Sequence, residues 1–380
     1  MSGAKGEKGE FKVRHGTQQI PHSMAAVLLT GHGGFERLEY REDAPVPVAG
    51  PNEVVIKVGA AGVNNTDINT RIGWYSKAFY SGTAESAPGG AGSASRSGAS
   101  WSGKPMTFPR IQGADCCGYI VDVGEGVSRA RLGERVIVRN MLRSYVDYRP
   151  FECWTFGSEC DGAFAQYTKA PAAEAYRVDC KWSDAELASI PCAYSTAEGM
   201  LQRAKVKAGE RVLVTGASGG VGSAAIQLAK RRGAEVIAIA AEGKLGEVRA
   251  IGAGRGIPRG ESVIEYLGAG SVDVVVDVVA GPEWPQLLEV LTRGGRYVVA
   301  GAIGGPIVQL DVRTLYLKDL SFFGCTFQED VIFENLVGYI EHEEIRPVVA
   351  KTYALRDIVK AQEDFLSKRF MGKLVLIPPP

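Results

Sequence analysis

The chain has 380 residues, 45% of them hydrophobic and 23% charged, with 43 basic side chains against 43 acidic ones. That length exceeds one ordinary core and predicts two domains, while the zero net charge excludes a protein built mainly to grip phosphate backbones or anionic membranes. No apolar run nears the roughly 20 residues that span a bilayer, and seven scattered cysteines fit a reducing, cytoplasmic compartment better than a disulfide framework.

Residues 1–23 are polar and glycine-bearing, with no hydrophobic core of a secretory signal, and read as a flexible tail. From Met24 to about Val138, short runs such as AAVLLT, EVVIKVGAAGV, GYIVDVG and ERVIV are separated by Gly, Pro and Asp, the pattern of an irregular β-barrel or sandwich. Inside this region Ser81–Gly103 is nearly all Gly, Ser and Ala. It has too little apolar surface to offset its ordering entropy, so it reads as a mobile insertion, either a passive surface loop or a flap over a site.

Between residues 191 and 327 the rhythm changes. RVLVTG, EVIAIA, DVVVDVV and RYVVAGA alternate with helical patterns such as AAIQLAKRRG and WPQLLEVLTRGG, which predicts an α/β, doubly wound parallel sheet buried on both faces. Residues 328–380 offer a helix (VIFENLVGYIEHEE), a second near Leu355–Leu366 and a strand, KLVLIP. That stretch is too short to fold alone and is expected to return to the first domain.

The densest signal is VTGASGGVGSAAIQLAK, where Gly216, Gly219 and Gly222 follow a strand and open a helix. With Ser218, Gly220 and Val221 they predict a turn that aims free helix N–H groups at the pyrophosphate of a dinucleotide. The next strand ends at Ala240 with no acid at its tip, and Lys244 follows closely enough to meet a 2′-phosphate. NADP(H) is therefore the expected cofactor. Glu242 leaves the alternative open, since it could serve the ribose hydroxyl of NAD.

The order of parts, with AAGVNNTDIN, GADCCGYIVDVGEGV, DGAFAQYT, CAYSTAEGM, LVTGASGGVGSAAIQLAK, LKDLSFFG and GKLVLIP, resembles the medium-chain dehydrogenase/reductase superfamily from Met24 onward. The resemblance implies a GroES-like β-barrel catalytic domain over 24–190, a Rossmann dinucleotide-binding domain over 191–327 and a return over 328–380. It also implies an active site in the cleft between the domains and a homodimer formed through the strand near Leu320–Phe327. Many members are zinc alcohol dehydrogenases with Cys, His and Cys as catalytic ligands. The matching slots here hold Asn64, Ala114 and Cys192, one donor where Zn²⁺ needs three, so no metal is expected. Cys153 and Cys160 likewise fall short of a four-cysteine structural lobe.

Asn in the first slot is similar to the zinc-free quinone oxidoreductases and 2-enoyl thioester reductases, which show an NxxDIN-like segment and then GxY. The resemblance implies Tyr75 as the donor at the reacting carbonyl, Thr66 as a proton-relaying hydroxyl and the Asn64 amide as a further donor. The residues alone also allow plainer roles: Tyr75 as a rim aromatic, Thr66 as the cap of a helix starting at Asp67, and Asn64 as a turn residue. The expected reaction is NADPH-dependent, metal-free reduction of a small-molecule enone, enal, quinone or enoyl thioester. The alternatives are an alcohol/carbonyl oxidoreductase using NADP and a non-catalytic NADPH-binding protein.

Overall fold

The computed structural model describes residues 20–86 and 100–380. Most of the expected tail, and the centre of the expected insertion at 87–99, lie outside the described residues. The elements that position the site in the first half of the chain are strand β1 (Glu53–Gly62), helix α1 (Asn65–Ile72), strand β2 (Cys117–Val123) and strand β3 (Arg135–Val138). Helix α2 (Pro191–Arg203) leads into strand β4 (Arg211–Val214), helix α3 (Gly220–Arg231) and strands β5 (Glu235–Ala240), β6 (Arg255–Pro258), β7 (Val272–Asp277), β8 (Leu291–Val299) and β9 (Ser321–Gly324). Helix α4 (Asp330–Glu341) and strands β10 (Val349–Ala354) and β11 (Lys373–Ile377) close the chain.

Strands β4 to β9 form one parallel sheet in the order β6-β5-β4-β7-β8-β9. Its central strands are runs of Val, Leu, Ile and Ala because both faces are covered. Val212, Val214, Val236, Val274 and Val276 enter one core, while Leu213, Ile237 and Val275 enter the core on the opposite face. Each such buried side chain contributes roughly 1.5–3 kcal/mol. The strand order reverses between β4 and β7, which opens a crevice at their carboxyl ends.

The second sheet has seven strands, with β3, β2, β1, β11 and β10 adjacent in that order. Strand β1 sits at its centre and is buried along most of its length. Strand β11, almost the last residues of the chain, pairs antiparallel with it: Val375 faces Gly62 and Leu376 faces Ala61. The N–H of Val63 donates to the carbonyl of Leu374 at 2.9 Å, and this register brings Lys373 beside Asn64. Helix α2 joins the two sheets, since Ala193, Tyr194, Ala197 and Leu201 share a core with Ala60, Cys117 and Ile137 on one side and Val212 and Val214 on the other. Among the described residues, no helix is long and apolar enough to cross a membrane.

Candidate active site between the two sheets

Strand β1 ends at Gly62, and the chain turns at once into α1. Asn64 is its N-cap, with extended backbone (φ −127°, ψ 161°), and the Asp67 carboxylate accepts the Asn64 N–H at 2.8 Å. Thr66 thus lies inside the helix and is not its cap, contrary to one of the two readings of the sequence. Gly73 in the left-handed region (φ 75°) ends α1 and folds the following residues back over its start. The Tyr75 hydroxyl then donates to Thr66 Oγ1 at 3.0 Å and also meets the Asn69 side chain, whose Oδ1 is occupied by the Thr83 hydroxyl at 2.9 Å. Burial raises the Tyr75 phenol well above its ordinary value, against a smaller opposing effect of Thr66 and Asn69, so it stays protonated. The structure therefore brings Tyr75 and Thr66 together as a hydroxyl pair.

Asn64 behaves otherwise than expected. Lys373 can only donate, so its ammonium fixes Oδ1 of the amide toward itself at 2.5 Å, and Nδ2 then donates to Asp115 Oδ2 at 2.8 Å. The other contact of Nδ2 is the Gly62 carbonyl at 3.4 Å. Both amide protons are thus engaged within the chain and none is left for a substrate oxygen, which corrects the expectation that Asn64 donates to substrate. Asp115 is fully buried and receives the Lys373 ammonium at 2.8 Å on Oδ2 and the Cys192 N–H at 2.6 Å on Oδ1. Residue 62 is glycine because a Cβ there would stand 2.4 Å from Asp115 Oδ2 and 2.6 Å from the Ala188 carbonyl oxygen. Buried among these groups, Asp67 has its carboxyl pushed up to about 7, chiefly by burial and further by Asp115, against the opposing N–H groups of Asn64 and Ala114 and the Lys373 ammonium.

The three slots that hold zinc ligands in the enzymes of similar pattern can be tested on this geometry. Asn64 has its oxygen on an ammonium, Ala114 has no donor, and the Cys192 thiol is pushed well up by burial and by Asp115, away from the thiolate a metal needs. Among the described residues no three His, Cys, Asp or Glu side chains converge as a metal site requires. The donor set does not fit Zn²⁺.

The glycine turn lies at the crevice of the parallel sheet, and its glycines do different work. Gly216 takes a left-handed backbone (φ 56°), and a Cβ on Gly222 would stand 2.3 Å from the Gly216 carbonyl, so both are demanded by the turn itself. A Cβ on Gly219 would meet only the Gly216 oxygen, at 3.4 Å, so packing within the chain does not require glycine there. Gly219 is the N-cap of α3, without a side chain to cap it, and its bareness leaves the helix N-terminus open to an anion. The Ser218 carbonyl is taken by the Gly372 N–H at 2.9 Å, while Gly220 and Val221 begin α3. These features fit a dinucleotide pyrophosphate.

At the tip of β5, the carbonyl of Ala240 accepts the Arg259 N–H at 2.7 Å. Lys244 donates to the carbonyls of Lys368 and Phe370, both at 2.7 Å, which occupies two of its three ammonium protons. Lys368 folds its ammonium over the Phe365 ring at 4.2 Å. Burial and the Lys244 charge push it down to about 8, and Lys244 is itself lowered by burial and by Arg259. Glu242 is exposed.

Sequence reasoning missed Lys373, Asn69, Thr83 and Trp101. Trp101 sets its ring edge-on to Tyr75 with centroids 4.8 Å apart. Thr83 and Trp101 belong to the stretch expected to be a mobile insertion, yet these described flanks are tied to the site. A Cβ on Gly82 would stand 2.3 Å from the Ile303 carbonyl, so the same flank also touches the parallel-sheet domain. The low apolar content of the stretch hid two anchors.

Two family models match the chain: "Alcohol dehydrogenase GroES-like domain" over residues 50–179 and "Zinc-binding dehydrogenase" over residues 220–341. The chain is 30% identical over 368 residues to an acryloyl-coenzyme A reductase from Metallosphaera sedula, covering 93% of this chain and 99% of that one. It is 28% identical over 369 residues to the quinone oxidoreductase of Homo sapiens, covering 93% and 98%. Among solved structures, a putative alcohol dehydrogenase from Sinorhizobium meliloti is 46% identical with a TM-score of 0.85, covering 96% of this chain and 99% of that one.

Proposed function

Because the chain belongs to the medium-chain dehydrogenase/reductase superfamily, in its quinone oxidoreductase and enoyl reductase-like branch, it is an oxidoreductase, and we propose that it uses NADPH, without a metal, to reduce an activated C=C or a quinone. The observation that carries this reading is the Tyr75–Thr66 hydroxyl pair beside ligand slots that lack a zinc donor set. A Lewis acid can polarise a simple ketone strongly, whereas one good hydrogen-bond donor at a developing oxyanion supplies about 3–4 kcal/mol. Hydrogen bonds suffice for acceptors whose own conjugation spreads the incoming charge, such as enones, enals, quinones and enoyl thioesters.

When bound, NADPH supplies the hydride. Tyr75, held as a neutral phenol, donates to Thr66 Oγ1, which frees the Thr66 hydroxyl proton for the acceptor oxygen as it gains charge. The Asn69 and Thr83 side chains fix Tyr75 in that role from behind. Gly219 and the N-terminus of α3 would hold the pyrophosphate, with Gly216 and Gly222 shaping the turn. Lys244, Lys368 and Arg259 form a cluster of mutually repelling cations at the tip of β5. A 2′-phosphate would relieve that repulsion, which supports NADPH over NADH.

The name of the Metallosphaera relative favours an enoyl thioester and that of the human relative a quinone. A second reading, oxidation of a simple alcohol with NADP⁺, is favoured by the name of the Sinorhizobium protein. The test follows NADPH oxidation spectroscopically on conjugated acceptors and on simple ketones after exhaustive chelation. Turnover of conjugated acceptors, indifferent to chelator, is expected, and Tyr75→Phe should lower kcat about 10- to 100-fold. Activity abolished by chelator and restored by Zn²⁺ would refute the reading, and turnover confined to saturated alcohols would favour the second.

A further inference from the structure

Asp115 is a carboxylate with no exposure, and among the described residues its only charged partner within hydrogen-bond distance is Lys373, itself buried. The ammonium bonds Asn64 Oδ1 and Asp115 Oδ2, and Asn64 Nδ2 bonds the same Asp115 oxygen, so three side chains close a ring. Through Asp115 Oδ1 the ring extends to the backbone of Cys192 at the start of α2. One former ligand slot thus touches the cation and another touches its anion. The stem of Lys373 lies against the glycine turn: a Cβ on Gly220 would stand 2.9 Å from Lys373 Cδ, and the N–H of the preceding Gly372 donates to the Ser218 carbonyl. A single side chain therefore spans from the cofactor turn to the N-cap of α1, the helix that carries Thr66 and sets Tyr75.

We propose that Lys373 is a positioning residue, a tethered cation standing beside the ligand slots where related enzymes hold a divalent ion, whose bonds to Asn64 and Asp115 set the Thr66–Tyr75 pair against the cofactor turn. The proposal rests on the reductase reading above. It differs from simple neutralisation of Asp115, because a ring of three hydrogen bonds fixes direction as well as charge. Small misplacements of reacting groups lower the chemical step without weakening binding elsewhere.

The experiment compares the full chain with Lys373→Met and with the double variant Asp115→Asn/Lys373→Met. Methionine keeps the stem over Gly220 and removes the ammonium. Lys373→Met should lower kcat about 10- to 100-fold while the dissociation constant for NADPH, read by its fluorescence, changes less than about 3-fold. The double variant removes the stranded buried charge, so it should melt near the parent temperature yet remain about 10-fold or more slower. A double variant that regains kcat to within about 3-fold of the parent would overturn the proposal, since Lys373 would then only neutralise Asp115. An independent readout needs no substrate. With NADPH bound, Lys373 should be acetylated by an amine reagent about 100-fold more slowly than exposed lysines, as counted by peptide mass spectrometry. Acetylation at the exposed rate would also overturn it. A parent chain that reduces no conjugated acceptor defeats the reductase reading instead, and the acetylation rates then decide the tether alone.

Discussion

At Asp67, burial and the Asp115 carboxylate raise the carboxyl from 3.8 to about 7, so the folded chain holds this proton more tightly than the unfolded one does. The folded state then binds more protons between these two values, and stability falls as pH rises through that window. A shift of this size corresponds to roughly 4 kcal/mol, present in full below the unfolded value and lost above about pH 7. Asp67→Asn keeps one acceptor for the Asn64 and Ala114 N–H groups and loses the titration. In urea unfolding, the stability of the parent relative to the variant should fall by a few kcal/mol between about pH 4 and about pH 8. A difference independent of pH would show that Asp67 does not titrate in this window. At this scale the sequence carried Thr66, Tyr75 and Asn64, because NxxDIN and GxY are contiguous. It could not carry Lys373, which lies 309 positions from Asn64 and meets it only through the register of β11 on β1. With Lys373 invisible, the Asn64 amide looked free to serve a substrate.

The glycine turn was the most legible element, since a strand, spaced glycines and an amphipathic helix are all local features. The division of labour among its glycines was not, because it depends on what each missing Cβ would touch. Gly219→Ala should weaken NADPH binding about 10-fold or more, with a melting temperature close to that of the parent, because the added methyl meets only an oxygen at 3.4 Å within the chain. Gly222→Ala should instead destabilise the domain by a few kcal/mol, its methyl falling 2.3 Å from the Gly216 carbonyl. Calorimetry and NADPH titration of both variants check the contrast, and equal losses of stability would defeat it. Helix α1 shows the opposite failing of local signals. Its run NNTD consists of four residues of types that can cap, and the choice of Asn64 was made by the end of β1 and by the Asp67 carboxylate reaching back. The β-strands of the first domain were legible as alternating runs, yet their pairing order, with β11 beside β1, was not.

The parallel sheet ends at β9, which pairs with β8 and has no second strand beside it among the described residues. Next to it the short helix Val312–Leu317 buries none of its side chains, and Ile307, Val312, Tyr316 and Leu317 are all more than half exposed. A bare edge beside an apolar surface invites a second sheet, so we propose a two-fold dimer through this face. The parent should scatter light as a dimer at about 10 μM, and Tyr316→Glu with Leu317→Glu should shift it to a monomer. A parent already monomeric would sink the proposal. The pairing of β11 with β1 has a further consequence, for biogenesis. Translation makes Asp115 258 positions before the lysine that bonds it. Until that lysine emerges, the nascent first domain lacks one neighbour of its central strand and the counter-charge of Asp115. The domain that begins first on the ribosome is therefore expected to finish folding last. Growing chains stalled before Lys373 should remain protease-sensitive there and be held by chaperones, while the parallel-sheet half already resists digestion.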